Sequence, residues 1–180
     1  INLVSKRPLA ETRRDFDVQF GSYGRKQIQT DLTGPLTQDG QWLYRLVALG
    51  RDSDTQVDYV PDDRKLFAPS LTWRPNGVTS LTLLGNWQDD HSGSSSQFFP
   101  WSGVILPNPN GQIPTNRFIG QPGLDRYDSE RAEAGWLFEH RLNERWTVRQ
   151  NLRYARNEVD YLTVYANSFA TPTAPYIDPA

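Results

Sequence analysis

Short segments of alternating apolar and polar residues constrain the fold of this sequence more than any other feature. In residues 14–21, Phe16 and Phe20 occupy one side of an extended chain, and Asp15 and Asp17 occupy the other. A period of two indicates β-strands, because successive side chains of a strand point to opposite faces. Seven such segments predict strands at residues 14–21, 25–34, 41–51, 65–74, 80–90, 129–142 and 146–155.

The apolar positions also predict how neighbouring strands pair. A shift of one residue would move every side chain to the wrong face, so the matching faces fix the register. A three-residue first turn places Val18 opposite Ile28, and a three-residue last turn places Glu139 opposite Arg149. Pro69 lies inside the fourth segment and cannot donate a hydrogen bond to a neighbouring strand, so we expect a bulge there.

The connections between the segments are of two kinds. After a tight first turn, short connections and long connections alternate along the chain, so an antiparallel meander would collect them at opposite edges of the sheet. Short turns at one edge and long loops at the other are typical of outer-membrane β-barrels, and strands of about ten residues can cross a bilayer. The short connections are residues 34–40, 75–79 and 143–145, and the long ones are residues 52–63, 91–125 and 157 onward.

Composition leaves two interpretations of the sheet open. Only 37% of the residues are hydrophobic, yet the chain has six Trp, eight Tyr and eight Phe, which suits a sheet with one wet and one apolar face. The apolar face either contacts lipid around a polar lumen, or forms the core of a soluble β-sandwich that binds a ligand or glycan. Trp73 and Trp146 near the short turns, and Trp87 towards the long loops, favour the membrane interpretation, because aromatic girdles mark both interfaces.

Several functional classes lack support in the sequence. The sequence has no basic patch of the kind that indicates nucleic-acid binding. No Cys is present and the two His are isolated, so a zinc site is not expected. No Ser–His–acid arrangement or phosphate-binding glycine motif indicates an enzyme. Five acidic residues lie close together, but the sequence around them has neither the Gly nor the closing Glu of a calcium-binding loop, so we expect a solvated loop instead. They are Asp52, Asp54, Asp58, Asp62 and Asp63.

An ordered series of short motifs resembles the TonB-dependent outer-membrane siderophore receptors, in particular those similar to ferrichrome receptors. The lead-in INLVSKRP resembles the end of the plug domain of that family, where it joins the barrel. The series covers essentially the whole chain, which makes it more specific than any single motif. The motifs that follow are VQFGSYGRKQ, DLTGPL, LYRLVALGRDSDTQVDYV, PSLTWRP, TSLTLLGNWQDD, LPNPNGQIPTNRFIG, DRYDSE and FEHRLNERWTVRQNLRY.

The resemblance implies a globular plug inside a barrel of about 22 strands. The fold expected here is therefore all-β, an antiparallel meander of about seven strands that forms part of a transmembrane β-barrel. Residues 1–12 would be the end of the plug and its linker, residues 13–160 the first barrel strands, and residues 161–180 the start of an extracellular loop. Because the sequence has no initiator Met and no signal peptide, we expect an internal segment of a longer chain.

The resemblance also implies a function, which is TonB-energised uptake of ferric siderophores across the outer membrane of a Gram-negative bacterium. Iron would travel as a ferric siderophore, and no cofactor or metal would be bound directly. The expected partners are the ferric siderophore, outer-membrane lipid and the TonB complex, which would act through the plug. No nucleic-acid partner and no enzymatic activity are expected.

Two groups of candidate site residues follow from this resemblance. Aromatic residues in or beside the longest loop are candidates for contact with the siderophore: Phe98, Phe99, Trp101 and Tyr127. Charged residues on the wet face are candidates for contact with the plug from the barrel lumen: Arg45, Arg51, Glu139, Arg149 and Arg153.

Overall fold

The computed structural model of the chain describes residues 4–94, 98–164, 166–169, 171 and 177–179. Seven strands form one antiparallel sheet in sequence order, and each strand pairs with the next along the chain. This order confirms the predicted meander. The strands are β1 (Arg13–Phe20), β2 (Lys26–Pro35), β3 (Trp42–Asp52), β4 (Asp62–Asn76), β5 (Thr79–Ser92), β6 (Arg126–Arg141) and β7 (Thr147–Leu162), and a separate hairpin follows, β8 (Ala166–Phe169) and β9 (Ile177–Pro179).

The predicted register of both outer hairpins is confirmed. Val18 lies opposite Ile28 in the β1–β2 pair, and Glu139 lies opposite Arg149 in the β6–β7 pair. The first turn closes with a hydrogen bond from the Gly21 amide to the Arg25 carbonyl (3.0 Å). The hydrophobic faces therefore specified the pairing, as expected for a sheet in which a slip would invert every side chain.

The strands extend further towards the long loops than the apolar pattern predicts. β7 runs to Leu162, so the expected loop is wrong for residues 157–162. The β6–β7 ladder continues through this polar part as far as Arg126 opposite Leu162, and the Arg126 guanidinium lies 2.5 Å from the Asp160 carboxylate. The rings of Tyr127 and Tyr161 also pack edge to face, with centroids 5.4 Å apart.

The bulge expected at Pro69 is wrong. Pro69 lies opposite Leu46 in an unbroken β3–β4 register, and the β4–β5 register is the same before and after it. The shift in β4–β5 pairing falls instead between Trp73 and Asn76. Gly85 explains the difference, since its missing side chain leaves room for the Pro69 ring: a Cβ there would lie 3.2 Å from Pro69 Cγ.

The connections collect at two edges of the sheet. The short-turn edge carries the β2–β3, β4–β5 and β6–β7 turns, and the long-loop edge carries the tight first turn and the two long loops, residues 53–61 and 93–125. At the short-turn edge, Thr37 donates a hydrogen bond to the Asp39 carboxylate (2.6 Å), as does the Gln41 amide (3.0 Å). These two donors lower the pKa of Asp39. The predicted asymmetry of the two edges is confirmed.

The two faces of the sheet differ in chemistry, and within the described residues the chain has almost no apolar core. The only buried hydrophobic residues described are Leu43 and Val60, whereas Phe16 and Phe20 are 70% and 81% exposed. The β-sandwich alternative is wrong for this chain, because it requires a second large sheet packed on that apolar face. The described part of the chain contains no helical stretch that could cross a bilayer.

Candidate functional site

A paired carboxylate and guanidinium join β2 and β3 on the polar face. Arg45 on β3 donates two hydrogen bonds to Asp31 on β2, from Nε to Oδ1 and from Nη2 to Oδ2, both 2.7 Å. The two side chains are only 12% and 14% exposed. A bidentate pair of this kind fixes the plane of the guanidinium and leaves its third nitrogen, Nη1, aimed in a defined direction.

The N-terminal segment, residues 4–12, lies across this pair. Nη1 of Arg45 donates to the Arg7 carbonyl (3.0 Å). The Lys6 ammonium lies 2.7 Å from Oδ2 of Asp31, so the carboxylate compensates two cations. The Leu9 amide donates to the Thr33 hydroxyl (2.9 Å). The polar face therefore bonds to both the side chains and the backbone of the N-terminal segment.

A second charged cluster contacts the beginning of the segment. Nη2 of Arg153 on β7 donates to the Ser5 hydroxyl (2.9 Å), and Nη1 of Arg153 lies 3.7 Å from the Glu133 carboxylate. Glu133 on β6 also pairs with Arg131, and its side chain is 10% exposed. The segment thus reaches from β7 to β2 across the polar face, and the intervening strands β3 and β4 contact it as well.

The remaining candidates on the polar face have partners within the sheet. Arg51 donates to the Asp62 carbonyl (2.7 Å) and to its carboxylate. Arg149 and Glu139 pair with each other at 2.7 Å, with more than half of each side chain exposed. Of the five predicted plug contacts, Arg45 and Arg153 therefore contact the N-terminal segment, and the assignment of all five to a plug stays a prediction.

The two long loops dock on each other. The Asp58 amide donates to the Asn116 carbonyl (2.9 Å), and the Asn116 side-chain amide donates to both oxygens of the Asp58 carboxylate (2.9 and 3.0 Å). The rings of Tyr59 and Phe118 pack beside these bonds, with centroids 6.0 Å apart. Tyr59 has a positive φ of 63°, an uncommon backbone conformation for an aromatic residue.

The four predicted aromatic contacts lie along the long-loop edge. Phe98 and Trp101 are 71% and 72% exposed, and Tyr127 is exposed at the start of β6. The Trp101 carbonyl accepts amide hydrogen bonds from Val104, Ile105 and Leu106 (2.8–3.2 Å). Because this compact turn is held by its own backbone, Trp101 is presented on an ordered piece of loop. The role of all four residues in ligand contact stays a prediction.

The acidic residues near the 53–61 loop have individual partners. Asp52 lies 3.9 Å from the Lys26 ammonium, Asp63 accepts from the Ser53 amide (3.0 Å), and Asp54 donates through its own amide to the Tyr23 carbonyl (2.9 Å). Within the described ranges, no group of three or more His, Asp or Glu side chains is arranged to hold a metal ion. The two His bind separately, His91 to Asp128 (2.6 Å) and His140 to Thr79 (2.9 Å).

The sequence did not identify every residue that organises the site. Asp31 and Thr33 appeared only as positions in a strand, because alternation shows which face a residue occupies but not what crosses that face. The structure supplies the missing link, which is the β2–β3 register: Thr33 lies opposite Arg45, so Asp31 is a diagonal neighbour of Arg45 on the same face. Trp42, which stacks on Trp73 at 6.0 Å at the short-turn edge, was also missed.

The sheet and its polar face define a class of protein. Seven antiparallel strands of 8–16 residues, an exposed apolar face, a charged opposite face and one edge of long loops form a section of an outer-membrane β-barrel. The charged face is the one that carries the N-terminal segment, so in a barrel it faces the lumen.

Comparison with known proteins gives the same class from sequence. The chain is 33% identical over 166 residues to the ferrichrome outer membrane transporter/phage receptor of Escherichia coli strain K12, covering 92% of the chain and 22% of that protein. It is 30% identical over 174 residues to the ferrioxamine B receptor of Salmonella typhimurium strain SL1344, covering 97% of the chain and 25% of the receptor. No family model matches the chain.

Solved structures match the fold. The closed form of the ferric-catecholate import receptor Fiu from Escherichia coli K12 superimposes with a TM-score of 0.81 and 24% identity, over 92% of this chain and 24% of that one. The complex of FpvAI with pyocin S2 superimposes with a TM-score of 0.78 and 21% identity, over 89% of this chain and 22% of that one. The sheet therefore has the fold of part of a TonB-dependent receptor barrel, as predicted.

The chain is homologous to the outer-membrane siderophore receptors over a segment that spans 22–25% of the length of the two curated relatives named above. This result confirms the family resemblance seen in the motifs.

Proposed function

We propose that the chain is part of a receptor that imports ferric siderophores across the outer membrane. The observation that carries the proposal is the similarity to ferrichrome and ferrioxamine B receptors, which extends along 92–97% of the chain. Iron is the cargo in this function and is bound as the ferric chelate, so the described strands need no metal site of their own. Their contribution is the lumen wall and the loops through which the chelate enters.

Energy for import comes, in this proposal, from the TonB complex acting through a plug in the lumen. The N-terminal segment supports this part of the proposal, because it lies on the polar face and bonds to it through Arg45 and Arg153. A polypeptide that enters β1 from the lumen side is the arrangement expected where a plug joins a barrel. The partners of the whole receptor would thus be the siderophore, TonB and outer-membrane lipid.

A transport assay tests this function. The full-length gene is expressed in a strain that lacks its own siderophore receptors, and uptake of radioactive iron is measured with a panel that includes ferrichrome and ferrioxamine B. We expect uptake of at least one ferric siderophore, and its loss in a matched strain without TonB. An assembled receptor that imports no member of the panel, or imports equally without TonB, would contradict the proposal.

The exposed aromatic residues of the long-loop edge are proposed to contact the chelate. Trp101 is the strongest candidate, because its side chain is largely exposed while the turn beneath it is held by three backbone hydrogen bonds. Packing of an aromatic ring against a partner is worth about 0.5–1.5 kcal/mol beyond the area that it buries, so Trp101→Ala should weaken binding of the ferric siderophore roughly tenfold. Trp146→Ala, at the opposite edge, is the matched control and should leave affinity unchanged.

A further inference from the structure

The N-terminal segment is bound at several points along its length. Ser5 bonds to β7, Lys6 to β2, Arg7 to β3 and Leu9 to β2. The Lys6 carbonyl also accepts a longer bond from the Ser70 hydroxyl on β4 (3.4 Å). A flexible hinge would be expected to make few bonds to its surroundings, because bonded backbone opens less readily.

Three of these five bonds reach the backbone of the segment. The Leu9 amide and the Lys6 and Arg7 carbonyls are bound by wall side chains. Backbone groups remain in place when side chains rotate, so bonds to them restrain the path of the chain itself. The Thr33 hydroxyl is fully buried, and it accepts from Leu9 while donating to the Tyr44 carbonyl (2.8 Å).

Asp31 orients the Arg45 guanidinium, which donates a hydrogen bond to the Arg7 carbonyl. Its two oxygens take Nε and Nη2 of Arg45, and this leaves Nη1 directed at the Arg7 carbonyl. Asp31 also takes the Lys6 ammonium of the segment itself. Removal of the Asp31 carboxylate would therefore release Lys6, and it would leave Arg45 without the partner that directs Nη1 at the Arg7 carbonyl.

We propose that residues 5–9 form a fixed strap on the lumen wall, with Asp31 and Arg45 as its positioning residues, and that the strap stays in place during transport. The inference rests on the proposed import function, and it goes beyond that function by locating a part of the receptor that does not move. Rearrangements that admit the siderophore then take place outside residues 5–9.

Hydrogen exchange of the purified full-length receptor tests the strap without requiring transport. We expect the peptide containing Leu9 to be protected, and Asp31→Asn to speed its exchange about tenfold or more. Arg141→Ala is the matched control, because Arg141 lies on the same face and its exposed side chain bonds to the Gly77 carbonyl (3.5 Å) and not to the strap. The exchange of the Leu9 peptide in this variant should match that in the parent receptor. Rapid exchange in the parent, or equal exchange in Asp31→Asn, would overturn the proposal.

Addition of the ferric siderophore to the parent receptor extends this experiment. Unchanged protection of residues 5–9 is expected, and loss of protection on ligand binding would show a hinge instead. If Asp31→Asn does not assemble, Arg153→Ala replaces it, since this change removes only the Ser5 contact and the looser pair with Glu133. Faster exchange of the Leu9 peptide is then expected, because the strap has lost one of its anchors, and no change overturns the proposal.

A disulfide tests whether the strap must move for uptake. Leu9→Cys and Thr33→Cys are combined, and each single variant serves as a control. The 2.9 Å bond from the Leu9 amide to the Thr33 hydroxyl keeps the two residues close, with Cα atoms within about 7 Å, the upper limit for a disulfide. A short bifunctional thiol reagent joins the two Cys where oxidation does not. Siderophore uptake should be equal with and without the cross-link. Uptake that falls on cross-linking in the double variant alone overturns the strap. Absence of uptake in the unmodified receptor would instead contradict the proposed function.

Discussion

At the scale of single residues, burial separates two ion pairs that look alike in sequence. Asp31–Arg45 and Glu139–Arg149 both join neighbouring strands on the polar face at 2.7 Å. The first pair is nearly buried and bidentate, whereas both side chains of the second are more than half exposed. Breaking a buried pair leaves an uncompensated charge, while exposed pairs are weakened by solvent and by side-chain entropy.

Removal of one buried charge should therefore be far more costly than removal of one exposed charge. We expect Asp31→Asn to lower the free energy of unfolding of the receptor by about 2–3 kcal/mol, somewhat less than the loss for a fully buried pair, because both side chains keep some exposure. Glu139→Gln should lower it by about 0–1 kcal/mol. Urea unfolding in detergent, followed by the shift between folded and unfolded bands on a gel, measures both. Equal effects of the two substitutions would contradict this ranking.

The sequence could predict the face on which each of these residues lies, but not its exposure. Alternation placed Arg45 and Arg149 alike on the wet face, and the register placed Glu139 opposite Arg149 correctly. The difference between the pairs comes from the N-terminal segment, which covers one and not the other. The path of an irregular segment has no period, so no sequence pattern reveals what it covers.

At the scale of strands, one glycine sets how closely β6 and β7 approach. A Cβ added at Gly135 would lie 2.4 Å from the Leu152 carbonyl oxygen and 3.2 Å from Arg153 Cα. These are backbone atoms of the paired strand, so they cannot turn aside as a side chain could. The strand pair tolerates no side chain at this position without a shift of the ladder.

Gly135→Ala should accordingly weaken the β6–β7 pair. Overpacking of this kind costs about 1–3 kcal/mol, and faster hydrogen exchange should appear in both strands. Gly77→Ala is the matched control: nothing lies within 4 Å of a Cβ there, and a near-zero effect is expected. If Gly135→Ala left the exchange of β7 unchanged, the close approach would be refuted.

The strands themselves were predictable, and their ends were less so. All seven strands and the hairpin registers follow from alternation and turn length. β4 begins at Asp62 and β7 ends at Leu162, in regions that carry no apolar signal and where charged residues lie beside each other across the ladder. Pro69 stays in register because Gly85 lies beside it on β5, and this is a tertiary compensation that a single strand does not display.

At the scale of the whole molecule, the sheet exposes too much apolar surface to be stable as a monomer in aqueous solution. Among the described residues, only Leu43 and Val60 are buried hydrophobics, while one face exposes large apolar side chains such as Phe16, Phe20 and Leu152. Within the described ranges, β1 and β7 each pair with a strand on one side only. Unpaired edges and an exposed apolar face both promote association.

The chain expressed by itself should therefore aggregate in buffer and stay dispersed only in detergent. Size-exclusion chromatography with and without detergent measures this, with circular dichroism to confirm strand content. A monodisperse, cooperatively unfolding monomer in buffer without detergent would contradict the membrane orientation of the apolar face.

The environment of alternate residues along β6 shows whether the apolar face contacts lipid. Spin labels are placed singly at positions 134 and 136 to 139 of the full-length receptor in lipid vesicles, and their collisions with oxygen and with a water-soluble nickel chelate are compared. Position 135 is left out, because a side chain there would meet the backbone of β7. Oxygen should dominate at Ala134, Trp136 and Phe138, and the chelate at Leu137 and Glu139, giving a period of two. A reversed phase, or no alternation at all, would contradict the orientation of the apolar face towards lipid.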